Sequence, residues 1–273
     1  MGHPERPERL RAIETALEAE RFQHLARELA PTVPIETIAL CHPMDYIERL
    51  RELTPEAGIA RLDADTSMSA GSFEAALRAA GGAVHAVDEV VSKKADNAFV
   101  ATRPPGHHSE TARAMGFCLF NNAAIAARHA QDRHDLGRVA IVDFDVHHGN
   151  GSQEIFWSDA SVMYCSTHEM PLYPGSGAIS ERGEHDNIVN APLRAGDGGK
   201  EFRAAVETRI LPRLLAFGPE LIVISAGSGR SPACACNRDA FPADFYRSGP
   251  VCPPAAAAGV GVHTDVRIGA RHQ

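Results

Sequence analysis

The nine residues from Asp143 to Gly151, DFDVHHGNG, hold two aspartates, two adjacent histidines, an asparagine and two glycines, and they follow directly on the apolar pair Ile141 and Val142. Carboxylates and imidazoles gathered where a β-type run stops are the composition of a metal site at a strand end. Asp145 and His147 are two residues apart, so in an extended segment they face the same side and can reach one ion. That donor mixture suits Zn²⁺, with other first-row divalent metals competing for it. An aspartate and a histidine at this spacing are equally at home in a solvated loop, so the pair needs its surroundings to decide. Some thirty residues earlier, Arg103 to His108 reads RPPGHH, a rigid turn that delivers a second adjacent pair, His107 and His108. Four of the chain's 14 histidines therefore sit in two short loops.

The elements that must position these loops follow from hydrophobic spacing. Leu10, Ile13, Leu17, Leu25 and Leu29 predict a first helix that runs from the prolines at 4 and 7 to Pro31. A short strand is predicted over Ile35–Leu40, helices over Met44–Leu53 and Gly71–Val91, and a buried strand over Asn97–Thr102 feeding RPPGHH. Helix Asn122–His134, strands Val139–Val142 and Val162–Ser166, helix Phe202–Phe217 and the continuous apolar strand Leu221–Ser225 complete the pattern. Strands alternating with helices of this length predict an α/β fold built on a mostly parallel sheet between helical layers. Ligands in such sheets bind beyond the carboxyl ends of the strands, which is where both histidine loops would fall.

Length and composition bound the rest. At 273 residues, 44% hydrophobic and 23% charged, the chain is in the range of a single globular domain. A net charge of −8 without a basic stripe argues against a nucleic-acid partner. MGHPERPERL lacks the apolar stretch of a secretory leader and nothing later is long enough to span a bilayer, so a soluble, cytoplasmic protein with no membrane partner is expected. The six cysteines are scattered and read as reduced thiols. Cys118 and Cys165 lie in apolar runs and read as core residues, and Cys234 with Cys236 is a lone pair too sparse for a metal site. His24, His85, His129 and His134 fall on predicted helices and read as surface or hydrogen-bonded histidines. After Gly227 the sequence turns rich in Pro, Ala, Cys and Arg without helical or strand period, so residues 1–227 read as the core and 228–273 as an aberrant, poorly structured tail.

GHPERPERL at Gly2 to Leu10, RPPGHH, GFCLFNN at Gly116 to Asn122, DFDVHHGNG and PLYPGSG at Pro171 to Gly177 occur in one order. In this the chain resembles the histone deacetylase superfamily, and more narrowly its bacterial class II and acetylpolyamine amidohydrolase members. The resemblance implies a three-layer α/β/α sandwich of the arginase/deacetylase kind, with one Zn²⁺ at the sheet edge hydrolysing an acetyl-lysine-type amide at the base of a narrow tube. By motif, Asp145 and His147 would be metal ligands. His107 and His108 would handle protons, with Asp143 orienting His107 and Asn150 orienting His108. A K⁺ ion would match Asp143, Asp145, His147, Ser166 and Thr167, and Gly116 and Phe117 would help wall the acyl tunnel. Acetylated proteins, polyamines or small acetylated molecules would be the substrates; the oligomeric state is not legible.

Two departures stand against full activity. The family carries its third zinc ligand, an aspartate, two residues past the glycine of LIVISAG, where this chain has Ser228 and Gly229. Its glycine-rich loop ending in an oxyanion tyrosine has no counterpart after Gly227, where Tyr246 stands in a different context. The simultaneous loss of every motif there reads as a shift of reading frame, and the sheet as incomplete at its C-terminal end. Two other readings stay open. The chain could be a non-catalytic remnant that binds acetylated ligands without turnover, or an arginase-like ureohydrolase, against which the tandem histidines and RPPGHH argue.

Overall fold

Along each central strand the side chains alternate between two separate apolar clusters. Val139 and Ile141, Val162 and Tyr164, Ile188, Leu221 and Val223 join one cluster, while Ala140, Met163, Cys165, Val189 and Ala191 join the other. A period of two with both faces buried requires a layer of helices on each side of the sheet. The computed structural model describes residues 4–227, together with two short strands at 256–257 and 264–265. The expectations for the tail, including its frame, the third ligand and the oxyanion tyrosine, otherwise lie outside the described residues.

The sheet is built on strands β3 (Val139–Asp143), β4 (Val162–Glu169), β5 (Ile188–Leu193) and β6 (Leu221–Gly227), all parallel, in the order β5-β4-β3-β6. Strands β7 (Ala256–Ala257) and β8 (Thr264–Asp265) pair with β6, in parallel and antiparallel respectively. A small antiparallel pair, β1 (Ala60–Arg61) and β2 (Ser67–Met68), stands apart. One face of the main sheet is covered by α4 (Ser72–Val91) and α5 (Asn122–His134), with α2 (Ile35–Ile38) and α3 (Met44–Glu52) behind them. The other is covered by the run α7 (Gly199–Ala205), a π turn (Val206–Ile210) and α8 (Leu211–Phe217). This is the expected layered α/β architecture. Chain order runs β3-β4-β5 to one side and then returns to place β6 on the other, so the carboxyl ends of β3 and β6 flank the switch point where such sheets bind ligands. No helix among the described residues is long and apolar enough to cross a membrane.

Several elements differ from their sequence expectation. The first helix, α1 (Glu8–Leu17), stops well before Pro31 and buries none of its residues, and Leu29 is 94% exposed, so the leucine spacing does not mark a packed face. Ile35–Leu40 is the short helix α2 rather than a strand; Pro34 precedes it, Glu36 sits in its first turn and Ile38 is fully buried. Asn97–Thr102 forms no strand and joins no sheet among the described residues. The expected single helix Phe202–Phe217 is interrupted by the π turn beside Pro212, which has no N–H to give to the residue four before it. Four elements had no sequence expectation: β5, α6 (Asn150–Ile155) and the small pair β1 and β2.

Candidate active site

Asp143 is the last residue of β3, with Ser166 of β4 and Ser225 of β6 as its register partners, so the DFDVHHGN segment leaves the sheet at the switch point. Asp143 is fully buried and its carboxylate is shared out. Oδ2 accepts from His107 Nδ1 at 2.9 Å and from the Tyr164 hydroxyl at 3.4 Å, and Oδ1 accepts from the Asp145 N–H at 3.1 Å. The same tie that orients His107 therefore also shapes the backbone that presents Asp145. Two residues on, Asp145 Oδ1 accepts from the His147 N–H at 2.7 Å and lies 3.1 Å from His147 Nδ1. Ligands at about 2.0–2.2 Å in a tetrahedral site lie roughly 3.3 Å from one another, so this carboxylate and this ring nitrogen are spaced to hold one divalent ion. His147 is a third exposed at its side chain, whereas Asp145 is buried.

The second histidine pair arrives without a strand behind it. Its turn is closed by Ser109 N–H donating to Gly106 O, and Ser152 N–H of α6 donates to His107 O. Asn121 caps α5 by accepting from the Ala124 N–H and uses its amide to hold Ser109 O, so the helix and the histidine turn are locked together. His107 and His108 are both buried, with ring centroids 4.0 Å apart. His108 Nδ1 lies 2.9 Å from Asn150 Oδ1, and the Asn150 amide group donates to Glu110 Oε1 at 2.8 Å. With its nitrogen committed to Glu110, Asn150 presents its oxygen, which selects the Nδ1–H form of His108 and leaves Nε2 as an acceptor. Gly116 completes the pocket: its φ is +56°, and a Cβ there would stand 2.3 Å from His108 Cδ2.

The two imidazoles are thus given unlike partners. Burial works against a charged His107, but the adjacent Asp143 carboxylate and its hydrogen bond, with Asp145 beyond, outweigh burial and hold the ring above the ordinary histidine value. His148, in contrast, is held down at about 3 by burial and then by the charges of His168 and His107. It bonds Ser176 Oγ and Gln153 Oε1 and belongs to the packing beneath the loop.

Phe117, with φ of +67°, is partly exposed next to buried Gly116; their N–H groups donate to Thr66 Oγ1 and Asp65 Oδ1. The aromatic ring found edge-on to the site is one the sequence reading did not single out. Tyr173 stands 5.0 Å from the His108 ring and 6.0 Å from the His147 ring, nearly perpendicular to both. The PLYPGSG motif that contains it was the available signal. At the expected K⁺ position, Ser166 Oγ is engaged with His168 Nδ1 at 2.9 Å, while Thr167 Oγ1 is buried with no hydrogen-bond partner among the described residues.

Of the four histidines expected on helices, His24 lies in an exposed turn beyond α1 and His85 pairs with Glu28. His129 and His134 instead meet at a single carboxylate, Asp88, with His134 at the end of α5 that leads into the amino end of β3. Cys118 and Cys165 are fully buried, and burial pushes the Cys165 thiol up to about 12.

The family model of the histone deacetylase domain matches residues 3–231. An uncharacterized protein of Synechocystis sp. is 43% identical over 82% of this chain and 75% of its own length. A histone deacetylase-like amidohydrolase of Pseudomonas aeruginosa is 38% identical over 90% of this chain, and a probable deacetylase of Archaeoglobus fulgidus 39% identical over 82%. The chain spans 66% and 64% of the length of these last two, less than two thirds of each. Among solved structures, the HDA15 HD domain superposes with a TM-score of 0.86 at 34% identity, covering 96% of this chain and 78% of that one.

Proposed function

The chain belongs to the histone deacetylase family, and from that premise we propose that it is a zinc-dependent amide hydrolase that removes the acetyl group from an acetylated lysine or amine. The observation that carries this reading is the convergence at one strand end of two metal-type donors, Asp145 and His147, with two imidazoles whose Nδ1 atoms are separately committed to a carboxylate and an amide.

Asp145 and His147 would hold the ion. A Zn²⁺ bound there would supply polarisation of the amide carbonyl and make water more acidic beside it. The chain's own groups supply the proton traffic. His108, with Nδ1–H spent on Asn150, keeps Nε2 as the acceptor for the proton that leaves water as it attacks. His107, biased toward its charged form by Asp143, is the source of the proton that the departing amine takes up. Tyr173, edge-on to His108 and His147, walls the approach together with Gly116 and Phe117, an apolar surface suited to the methylenes of a lysine or polyamine. The buried, unpartnered Thr167 hydroxyl supports a K⁺ ion beneath, with Asp143, Asp145, His147 and Ser166. Acetylated proteins, acetylpolyamines and small acetylated amines all fit this chemistry.

Ser228 and Gly229 favour a second reading, in which the pocket binds acetylated ligands with little turnover. Loss of one oxyanion donor alone typically costs about 10²–10³ in rate. Full-length protein loaded with Zn²⁺ and assayed with a fluorogenic acetyl-lysine peptide and with an acetylated polyamine separates the two. Slow cleavage that needs zinc and disappears in Asp145→Asn supports the hydrolase; saturable binding without acetate release supports the second reading.

A further inference from the structure

Asp88 lies on α4, and His129 and His134 lie on the C-terminal half of α5, which packs against it. Both imidazoles present Nε2 to the same carboxylate oxygen: His129 Nε2 and His134 Nε2 are each 2.7 Å from Asp88 Oδ1. The rings are inclined at 77° with centroids 5.7 Å apart, so they approach from different directions rather than stacking. The three donor atoms lie within 4.8 Å of one another. The two histidines are five positions apart, a spacing that would point them apart on a regular helix. They meet because His134 is the last helical residue, beside Asp135 in the left-handed conformation.

We propose that Asp88, His129 and His134 form a second, peripheral site for a divalent transition-metal ion of the Zn²⁺, Co²⁺ or Ni²⁺ class, clamping α4 to α5. Two imidazole nitrogens and one carboxylate oxygen are the donor types these ions take, and imidazole selects them over Mg²⁺ or Ca²⁺. Separations of roughly 3.3 Å between donors, as a tetrahedral ion requires, are reached by rotation of flexible side chains from donors that already lie within 4.8 Å of one another. Asp88 is 43% and His134 22% exposed at the side chain, which gives the ion an entry path and room for a water in the fourth position, while His129 at 9% anchors it. With no ion bound, each ring satisfies Asp88 through an Nε2–H; with an ion bound, that proton moves to Nδ1 and the lone pair turns to the metal. Burial disfavours the Asp88 anion, yet the bonds to the two histidines more than offset it and hold the carboxyl below its ordinary value, ready as a ligand.

This site is separate from the one at Asp145 and His147. His134 precedes β3 at its amino end and Asp145 follows its carboxyl end, so the length of β3, about 17 Å, lies between them.

Calorimetric titration of the full-length, chelator-treated protein with Co²⁺ and with Zn²⁺ tests the proposal, using wild type, His134→Gln, Asp88→Asn and Asp145→Asn. Far-UV circular dichroism checks that each variant is folded, and His134→Gln, at a partly exposed helix end, is the gentlest. The expected result is that His134→Gln and Asp88→Asn each lose one equivalent that Asp145→Asn keeps. Saturating Zn²⁺, at about 100 times its Kd, should raise the unfolding midpoint of wild type by roughly 5–10 °C and that of His134→Gln by less. Unchanged stoichiometry and affinity in both triad variants would overturn the site, as would a wild type that binds only the equivalent lost in Asp145→Asn.

Discussion

His107 Nδ1 lies 2.9 Å from Asp143 Oδ2, with both side chains removed from solvent. A carboxylate this close to a buried ring sets its charge state. Asp143→Asn keeps the shape but removes the charge that lifts His107, leaving burial to push the ring down. Nuclear magnetic resonance titration of the metal-free protein should show His107 titrating above the ordinary histidine range in wild type and below it in Asp143→Asn. Because the folded value is raised, stability from this pair is present below about pH 6.5 and is lost as pH rises through the folded value. The variant should therefore lose more stability at pH 6 than at pH 9. A His107 titration unmoved by Asp143→Asn would remove the carboxylate from the account.

Gly116 faces His108 at a point where no side chain fits. Its φ of +56° is costly for an L-residue, and the added Cβ would stand 2.3 Å from His108 Cδ2. Gly116→Ala should cost about 1–3 kcal/mol in urea unfolding and displace His108 from Asn150. An alanine variant as stable as wild type would mean that this loop adjusts freely.

His42 supports the site from outside it. Its Nε2 accepts from the Asn121 N–H at 2.9 Å and its Nδ1 lies 3.0 Å from Thr111 O, so the neutral ring bridges the cap of α5 and the loop after the histidine pair. Burial is the main cause that lowers it to about 4. The unfolded chain then takes up a proton near pH 6.5 that the folded chain refuses until about pH 4. Stability from this residue is full above pH 6.5 and falls as pH drops toward 4, by on the order of 3 kcal/mol. His42→Gln should unfold more readily than wild type at pH 7.5, with the gap narrowing by about that amount at pH 4.5. A gap independent of pH would exclude this residue as an acid-sensitive strut.

The candidate site was legible because its donors are packed into two short motifs, and the fold brings Asp145 and His147 within 3.1 Å of one another, as their spacing suggested. Less legible was how the second pair gets there. RPPGHH is held by Ser152 at His107 O, by Asn121 at Ser109 O and by the close approach of Gly106 to the backbone of Phe120 and Asn122, long-range contacts that no local pattern announces, rather than by a strand over Asn97–Thr102. β5 escaped notice because Asn190 and Pro192 interrupt its apolar run; a proline is tolerated there because no described strand pairs with its outer edge. α2 looked like a strand since six apolar-rich residues carry too little length to separate the two periods. Tyr173 was hidden for a different reason: an aromatic residue in a proline-rich loop gains meaning only when the loop folds back over the histidines. From the sequence His129 and His134 read as surface or hydrogen-bonded histidines rather than ligands; their common partner Asp88 is some forty positions away, and pattern along the chain does not reveal that the three donors meet.

The most direct measurement pairs metal content with acetate release in the same samples of wild-type and Asp145→Asn protein supplied with Zn²⁺ and an acetyl-lysine peptide. The account predicts one fewer zinc per chain in Asp145→Asn and acetate release only from wild type. Equal release from both proteins, or equal zinc in both, would contradict a metal-assisted amide hydrolysis centred on Asp145 and His147.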